Sequence, residues 1–330
     1  MSGGASIALG ETTTSSPARG FPIYAWSVLI YNLAVILWGA LVRATGSGAG
    51  CGGHWPLCNG EVLPTSPQVA TAIEFVHRAM SGVALVTALV LARWGWKAYA
   101  PKHPARRSAM WALVFMLTEA LVGAALVLLG HVARNESVGR VYSLSIHLIN
   151  TFMLLASLAL TAWWSTRTAP GPAARPAANA SPGLAPGSRY QLAAGIVAMV
   201  LVAMAGVITA LGDTLFPAHT LAQGIAEDFA ATANFLIRLR IIHPTLAVAA
   251  AILIAALAVR QLRGHASGPV RTLSALMLIL LGAQLAIGTL TVLMKAPVPL
   301  QLAHLLAADG LWITLVLFTS ERLQSGRPAA

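Results

Sequence analysis

Eight stretches of this chain are each long and apolar enough to cross a lipid bilayer, which leaves a polytopic membrane fold as the only economical outcome. A spanning helix needs about 20 mostly apolar residues. The segments at roughly 23–42, 70–92, 109–130, 141–164, 190–211, 234–259, 270–293 and 298–318 satisfy that length. Only 9% of the 330 residues are charged. A soluble domain carries about a quarter, so a water-facing globule is excluded. Two cysteines, Cys51 and Cys58, are too few for a secreted module stapled by disulfides. The formal charge of +11 arises from 21 basic and 10 acidic residues. In so apolar a chain the basic residues serve membrane orientation and not nucleic-acid binding.

Counting basic residues by loop sets that orientation. With the N-terminus cytoplasmic, 14 of the 21 lie on the cytoplasmic side, in clusters such as Arg93, Lys97, Lys102, Arg106 and Arg107. The other seven are Arg43, Arg78, Arg134, Arg140, Arg238, Arg240 and Lys295. N-in, C-in is therefore expected. The first 22 residues are polar and are read as carrying no removable signal peptide. Between the fourth and fifth spans runs APGPAARPAANASPGLAPGS, a composition that cannot bury a core. The expected fold is all-α integral membrane. It has a four-helix half over 1–165, a flexible cytoplasmic linker over 166–189, and a second four-helix half over 190–330.

The halves resemble each other. WGALVRATGSG at the end of the first span parallels AGVITALGD at the end of the fifth, and TEALVGAALVL in the third parallels GAQLAIGTLTVL in the seventh. This aligns Glu119 with Gln284 and Gly123 with Gly288 at a steady offset of about 165 positions. An even number of spans per half makes the repeats parallel, related by an axis along the membrane normal.

His77, His147, His243 and His304 each lie a few residues into an even-numbered span. All four imidazoles are thus expected at one depth, in the outer leaflet, paired by the repeat as His77 with His243 and His147 with His304. A single such histidine could be a hydrogen-bonded packing residue. Four ionisable groups at one level inside a membrane point to function. Zinc would want further carboxylate or thiolate ligands. Two imidazoles approaching from opposite helices suit the axial positions of a haem iron inside a helical bundle. Haem propionates need cations, and Arg78, Arg238 and Arg240 stand beside His77 and His243. Interfacial snorkelling is the plainer reading of those arginines.

The halves also differ. Glu74 lies three residues before His77, on the same helix face, where the second half has Arg240 three before His243. A buried carboxylate there could act as general base or stabilise a cationic intermediate; it could also simply pair with Arg78 at i,i+4. Pro244 follows His243 and fits the first turn of a helix. Only the first half carries VRATGSGAGCGGHWPLCNG, in which Cys51 and Cys58 have six residues between them. A disulfide is feasible there, either as a labile redox pair or as a staple on the loop. A metal site through Cys51, His54 and Cys58 lacks a fourth ligand.

The run GALVRATGSGAGCGGHWPLCNG, then EFVHR at Glu74 to Arg78, with single histidines opening the fourth, sixth and eighth spans, resembles haem A synthase over roughly residues 23–318. The resemblance implies an oxidoreductase that converts the C8 methyl of haem O into the formyl group of haem A for terminal oxidases. It implies haem b held by His243 and His304, haem O bound near His77 and His147, and Glu74 as the catalytic carboxylate. It further implies a Cys51–Cys58 disulfide linked to electron transfer. Implied partners are membrane lipid, a membrane electron acceptor such as quinone, haem O synthase and oxidase assembly factors, with no nucleic acid. The setting is the bacterial cytoplasmic membrane, with histidines and cysteine loop toward the outer side.

The chemistry agrees. A farnesylated porphyrin is too apolar for water, and oxidation of its methyl through an alcohol and a gem-diol needs a proton acceptor such as Glu74. Glu119 in the third span is read as structural ahead of a proton path. Trp55 either flanks the cysteines or anchors the loop at the interface. Two other classes fit the spans: a dihaem b-type cytochrome passing electrons from quinol without modifying haem, and a transporter with a histidine proton relay.

Overall fold

The computed structural model of the chain describes residues 20–65, 68–167, 187–264, 266 and 268–325. The linker expected at 166–189 falls almost wholly outside them, as does the N-terminal segment. Among the described residues the chain is all-helical, with one isolated bridge between Cys58 and Glu61 in place of any strand. Four spans form the first half: α1 (Gly20–Ala44), α2 (Val69–Ala98), α3 (Pro104–Leu128) and α4 (Val138–Ser165). The second half contains α5 (Ser188–Leu215), then short α6 (Leu221–Phe229) and α7 (Phe235–Arg238). After these come α8 (Ile242–Arg263), α9 (Gly268–Leu293) and α10 (Val298–Ser325).

Eight of these segments are long and apolar enough to cross a membrane, the sixth running over Phe235–Arg263 through α7 and α8. Each span expected from the sequence is present, most of them extended by a turn or so at the polar ends. The chain is an integral membrane protein. Two features escaped the hydropathy pattern. One is α6, a nine-residue helix between the fifth and sixth spans. The other is a 3₁₀ turn over Leu239–Ile241 that breaks the sixth span. Pro244 explains the break: it has no N–H to give the carbonyl of Arg240, so regular helix begins only at Ile242. Pro244 thus sits in the first turn, as its position beside His243 suggests.

Burial is inverted relative to a soluble bundle. On α2, Ala84, Ala88 and Ala92 recur every fourth residue and are buried, while Val83, Val86, Leu89 and Val90 are exposed. On α3 the buried positions include Ala105, Ala109 and Ala112. Small residues let membrane helices approach closely, and large apolar ones face the lipid tails. The pair α1–α2 is stitched by a ladder. Tyr24 Oη, Tyr31 Oη and Trp38 Nε1, each seven residues apart, donate to the carbonyls of Thr87 (2.9 Å), Met80 (3.0 Å) and Ile73 (2.9 Å). A seven-residue step returns a side chain to nearly the same helix face.

α4 and α10 are the most buried spans and form the joint between the halves. Phe152 stacks on Trp312 at 4.6 Å, and Trp312 Nε1 donates to the Phe152 carbonyl at 2.8 Å. At the other end of the same pair, Trp163 Nε1 donates to Glu321 at 2.7 Å, and Arg167 makes an ion pair with Glu321 at 2.8 Å. α1 and α5 flank this joint, and the remaining spans lie outside it.

Candidate functional site

His77, His147, His243 and His304 lie in the opening turns of α2, α4, α8 and α10, at the same end of the bundle as the cysteine loop. Cα–Cβ bonds lean toward a helix N-terminus, so each imidazole reaches back toward that end and meets the neighbouring helix. Three of them lie against glycines. A Cβ on Gly39 would stand 2.9 Å from His77 Cε1; on Gly206, 3.0 Å from His243 Cε1; and on Gly288, 2.9 Å from His304 Cε1. Each ring occupies space that any other residue would fill. Gly123, aligned in the sequence with Gly288, meets nothing within 4 Å. His147 turns instead toward Glu119, its Nδ1 3.4 Å from Oε1. A carboxylate at 119 attracts the imidazole, whereas Gln284 at the matched position leaves His304 on its glycine.

The second pair is set edge to face. The rings of His243 and His304 are 6.3 Å apart between centroids and perpendicular. That gap admits one metal atom with bonds of about 2 Å to each ring. His243 Nδ1 lies 3.1 Å from the Val202 carbonyl. A carbonyl only accepts, so Nδ1 carries the proton and Nε2 keeps its lone pair, the tautomer a metal ligand needs. Nδ1 of His77, of His147 and of His304 is buried without a hydrogen-bond partner. His77 and His147 lie within electrostatic reach of each other. Among the described residues no group of three or more His, Cys, Asp or Glu converges on one point. The donors come as pairs of imidazoles, the set that completes the coordination of an iron already held by a porphyrin.

Glu74 is 3% exposed and has a partner on each oxygen. Arg78 Nη2 donates to Oε1 at 2.6 Å, and the backbone N–H of Cys51 donates to Oε2 at 2.8 Å. The ion pair with Arg78, the simpler role read from the i,i+4 spacing, is therefore present. Arg78 does more than pair: its Nη1 donates to the carbonyls of His54 and Leu57, both at 2.7 Å. Cys51 and Cys58 are joined in a disulfide. The carboxylate, the guanidinium and the bridged loop form one hydrogen-bonded unit over the start of α2. Gly50 makes its close fit possible, because a Cβ there would come within 2.5 Å of the Ala70 backbone. Trp55 is 42% exposed at the loop's outer edge, consistent with an interfacial anchor.

Of the arginines considered for propionates, Arg240 is held by Asp213 and Asp228, each at 3.0 Å. Burial pushes the Asp228 carboxyl above its usual range while Arg240 pulls it back down. Arg238 closes α7 and is exposed. Glu119 accepts hydrogen bonds from Asn150 and Thr151, which ties α3 to α4 beside His147. Sequence reasoning missed Arg43. It links α1 to α5 and α10 through bonds that no local pattern announces.

The glycine cradles lead to a contrast. Gly288→Ala is expected to displace the His304 ring and weaken retention of a bound haem several-fold, read as Soret absorbance per chain. Gly123→Ala, with open space around it, leaves that absorbance unchanged. Equal absorbance in the two variants would show that the cradle does not set the ring.

The family model of the cytochrome oxidase assembly protein COX15-CtaA matches residues 22–316. Among relatives, a Thermus thermophilus protein named protoheme IX farnesyltransferase is 45% identical over 305 residues, covering 92% of this chain and 48% of its own. A heme A synthase from Alkalihalophilus pseudofirmus is 43% identical over 108 residues, 33% of this chain and 36% of that one. A heme A synthase from Halalkalibacterium halodurans is 35% identical over 141 residues, 43% and 47% of the two chains. The chain spans about half the length of the Thermus protein, so the name of that protein describes a chain with as much again outside the match.

Proposed function

The chain belongs to the COX15-CtaA family of cytochrome oxidase assembly proteins, and from that premise we propose that it is a haem A synthase, an oxidoreductase that converts the C8 methyl of haem O to a formyl group. The observation that carries the reading is the pair His243 and His304, facing across 6.3 Å with His243 Nδ1 tied to a backbone carbonyl. These two histidines hold haem b through its iron. The group supplies one-electron redox chemistry when bound. His77 and His147 would receive haem O in the first half.

Glu74 is the proton acceptor beside the substrate. Its burial strengthens interactions with any charge that develops nearby, and Arg78 with the Cys51 N–H holds the carboxylate in one orientation. Methyl to alcohol and alcohol to gem-diol are each two-electron oxidations that take an oxygen from water, release two protons that such a carboxylate can receive and pass their electrons to the acceptor. Loss of water from the gem-diol then leaves the formyl group. Arg238, exposed at the rim, is the propionate partner that the contacts favour. Arg78 and Arg240 have their guanidinium groups engaged by the loop and by carboxylates.

The two halves act as parallel repeats joined by the 166–189 linker. Orientation is N-in and C-in, with the histidines and the cysteine loop toward the outer side of the bacterial cytoplasmic membrane. The charge asymmetry of the loops supports this. A quinone is the electron acceptor of matching apolarity. Haem O synthase is the partner that hands over the substrate, and oxidase assembly factors receive the product. The heme A synthase names of the shorter matches support substrate and product.

Co-expression with a haem O synthase, then extraction and chromatography of the pigments, tests the reading. Haem A is expected, with a b-type spectrum in the purified protein. Haem O alone, or no Soret band, would overturn it. Cys51→Ser is expected to lower turnover several-fold, because the bridge fixes the backbone donor that holds Glu74. Undiminished turnover would reduce the bridge to a staple on the loop.

A further inference from the structure

Arg43 ends α1 in the first half, four residues beyond Gly39, and its guanidinium lies in the second half. Nη1 donates to the Ala210 carbonyl at 2.8 Å and to Thr214 Oγ1 at 3.1 Å, both on α5. Nη2 donates to Gln301 Oε1 at 3.1 Å on α10. Gln301 is itself anchored, its Nε2 donating to the Ala296 carbonyl at 2.6 Å.

The partners are placed where they matter to the histidines. Gln301 is three residues before His304, within one turn, and Ala210 is four residues after Gly206, the cradle of the His243 ring. Asp213, on the same turn of α5, interacts electrostatically with Arg43 and binds Arg240 at 3.0 Å. Arg240 is three residues before His243. One cation from the first half therefore grips α5 and α10 directly, and it interacts electrostatically with Asp213, which binds Arg240 on the turn leading into α8. A guanidinium within a membrane protein is costly to bury, and its presence marks a place where geometry is being held. A bidentate, planar donor fixes direction as well as distance.

We infer that Arg43 is a positioning residue for the second half's histidine pair: it sets the placement of His304 relative to His243, and of both relative to the substrate half. The inference rests on the reading of these histidines as axial ligands of a resident haem. Removing the clamp lets α10 and α5 relax independently. The two imidazoles then change their mutual orientation, and with it the ligand field at the iron.

The test uses the full-length protein purified with its haem. Arg43→Gln removes the charge and two of the donors. Gln301→Leu removes the α10 acceptor, along with the Gln301 bond to the Ala296 carbonyl, and changes no charge, so a shift there reads geometry and not a lost cation. Both variants are expected to retain haem, to shift the midpoint potential of the resident haem, and to alter its low-spin resonance signal. In the double variant these shifts are less than the sum of the single ones, as for residues acting through one contact. Parent-like potential and resonance in Gln301→Leu, with haem content intact, would overturn the inference even if Arg43→Gln failed to fold. A parent protein without a Soret band would strike the haem reading beneath it instead, so the two failures are distinguishable.

Discussion

Glu74→Gln is expected to lower conversion of haem O at least 100-fold, the loss typical of removing a positioned proton acceptor, while the haem of the second half stays bound. Glutamine is nearly isosteric and keeps an oxygen for the Cys51 N–H. The change therefore removes the charge and the basicity at 74 without emptying the site. Arg78 loses its ion pair but retains the His54 and Leu57 carbonyls, so the loop keeps its hold on α2. Glu74→Ala also removes the acceptor of the Cys51 N–H and is expected to be equally inactive and less stable. The measurement is haem A formed per haem O supplied, by chromatography of extracted pigment, alongside the optical spectrum of the resident haem. Haem A at parental yield from Glu74→Gln would reduce the carboxylate to a partner of Arg78.

The second large effect falls on the other half. If His243 and His304 hold the haem as proposed, His243→Ala or His304→Ala is expected to abolish its binding, bringing the Soret absorbance to background, because the pair has no third imidazole to replace the one lost. His243→Ala also removes the side-chain donor to the Val202 carbonyl. His304→Ala opens the cradle at Gly288. Both leave Glu74, Arg78 and the disulfide untouched, so substrate haem should still associate with the first half but emerge unconverted. Unchanged haem content in both variants would overturn the division of labour between the halves.

The spans were legible because lipid leaves few alternatives. Backbone groups must be satisfied within each helix, so length and apolarity suffice to find the crossings. The histidines were legible for a related reason: an imidazole at the same depth in four apolar helices has no ordinary explanation. What stayed hidden depended on contacts between distant positions. Spacing suggested that Glu74 could pair with Arg78, but not that Cys51 would donate to the same carboxylate from 23 positions away. Arg43 read as one more outer basic residue, since its partners lie 167 to 258 positions further on. The sequence aligned Gly123 with Gly288, yet His147 lies toward Glu119 and nothing stands within 4 Å of a Cβ at Gly123. α6 was too short for a hydropathy window, and its acidic residues answer to Arg240 beyond the helix, Glu227 also to Gln223 within it.

The ladder of Tyr24, Tyr31 and Trp38 has a consequence for which changes the first half can absorb. Because the three donors and their three acceptors recur at the same interval, the α1–α2 pair behaves like a ratchet with one tooth per two turns. Sliding by one residue breaks all three bonds and rotates Gly39 about 100° away from the His77 ring. Only a slip of seven re-engages the teeth, and it carries the pocket about 10 Å along the helix axis. The exposed valines and leucines of α2 can therefore be exchanged freely, whereas a single inserted or deleted residue between Tyr24 and Trp38 would break the register of the ladder and carry Gly39 away from the His77 ring.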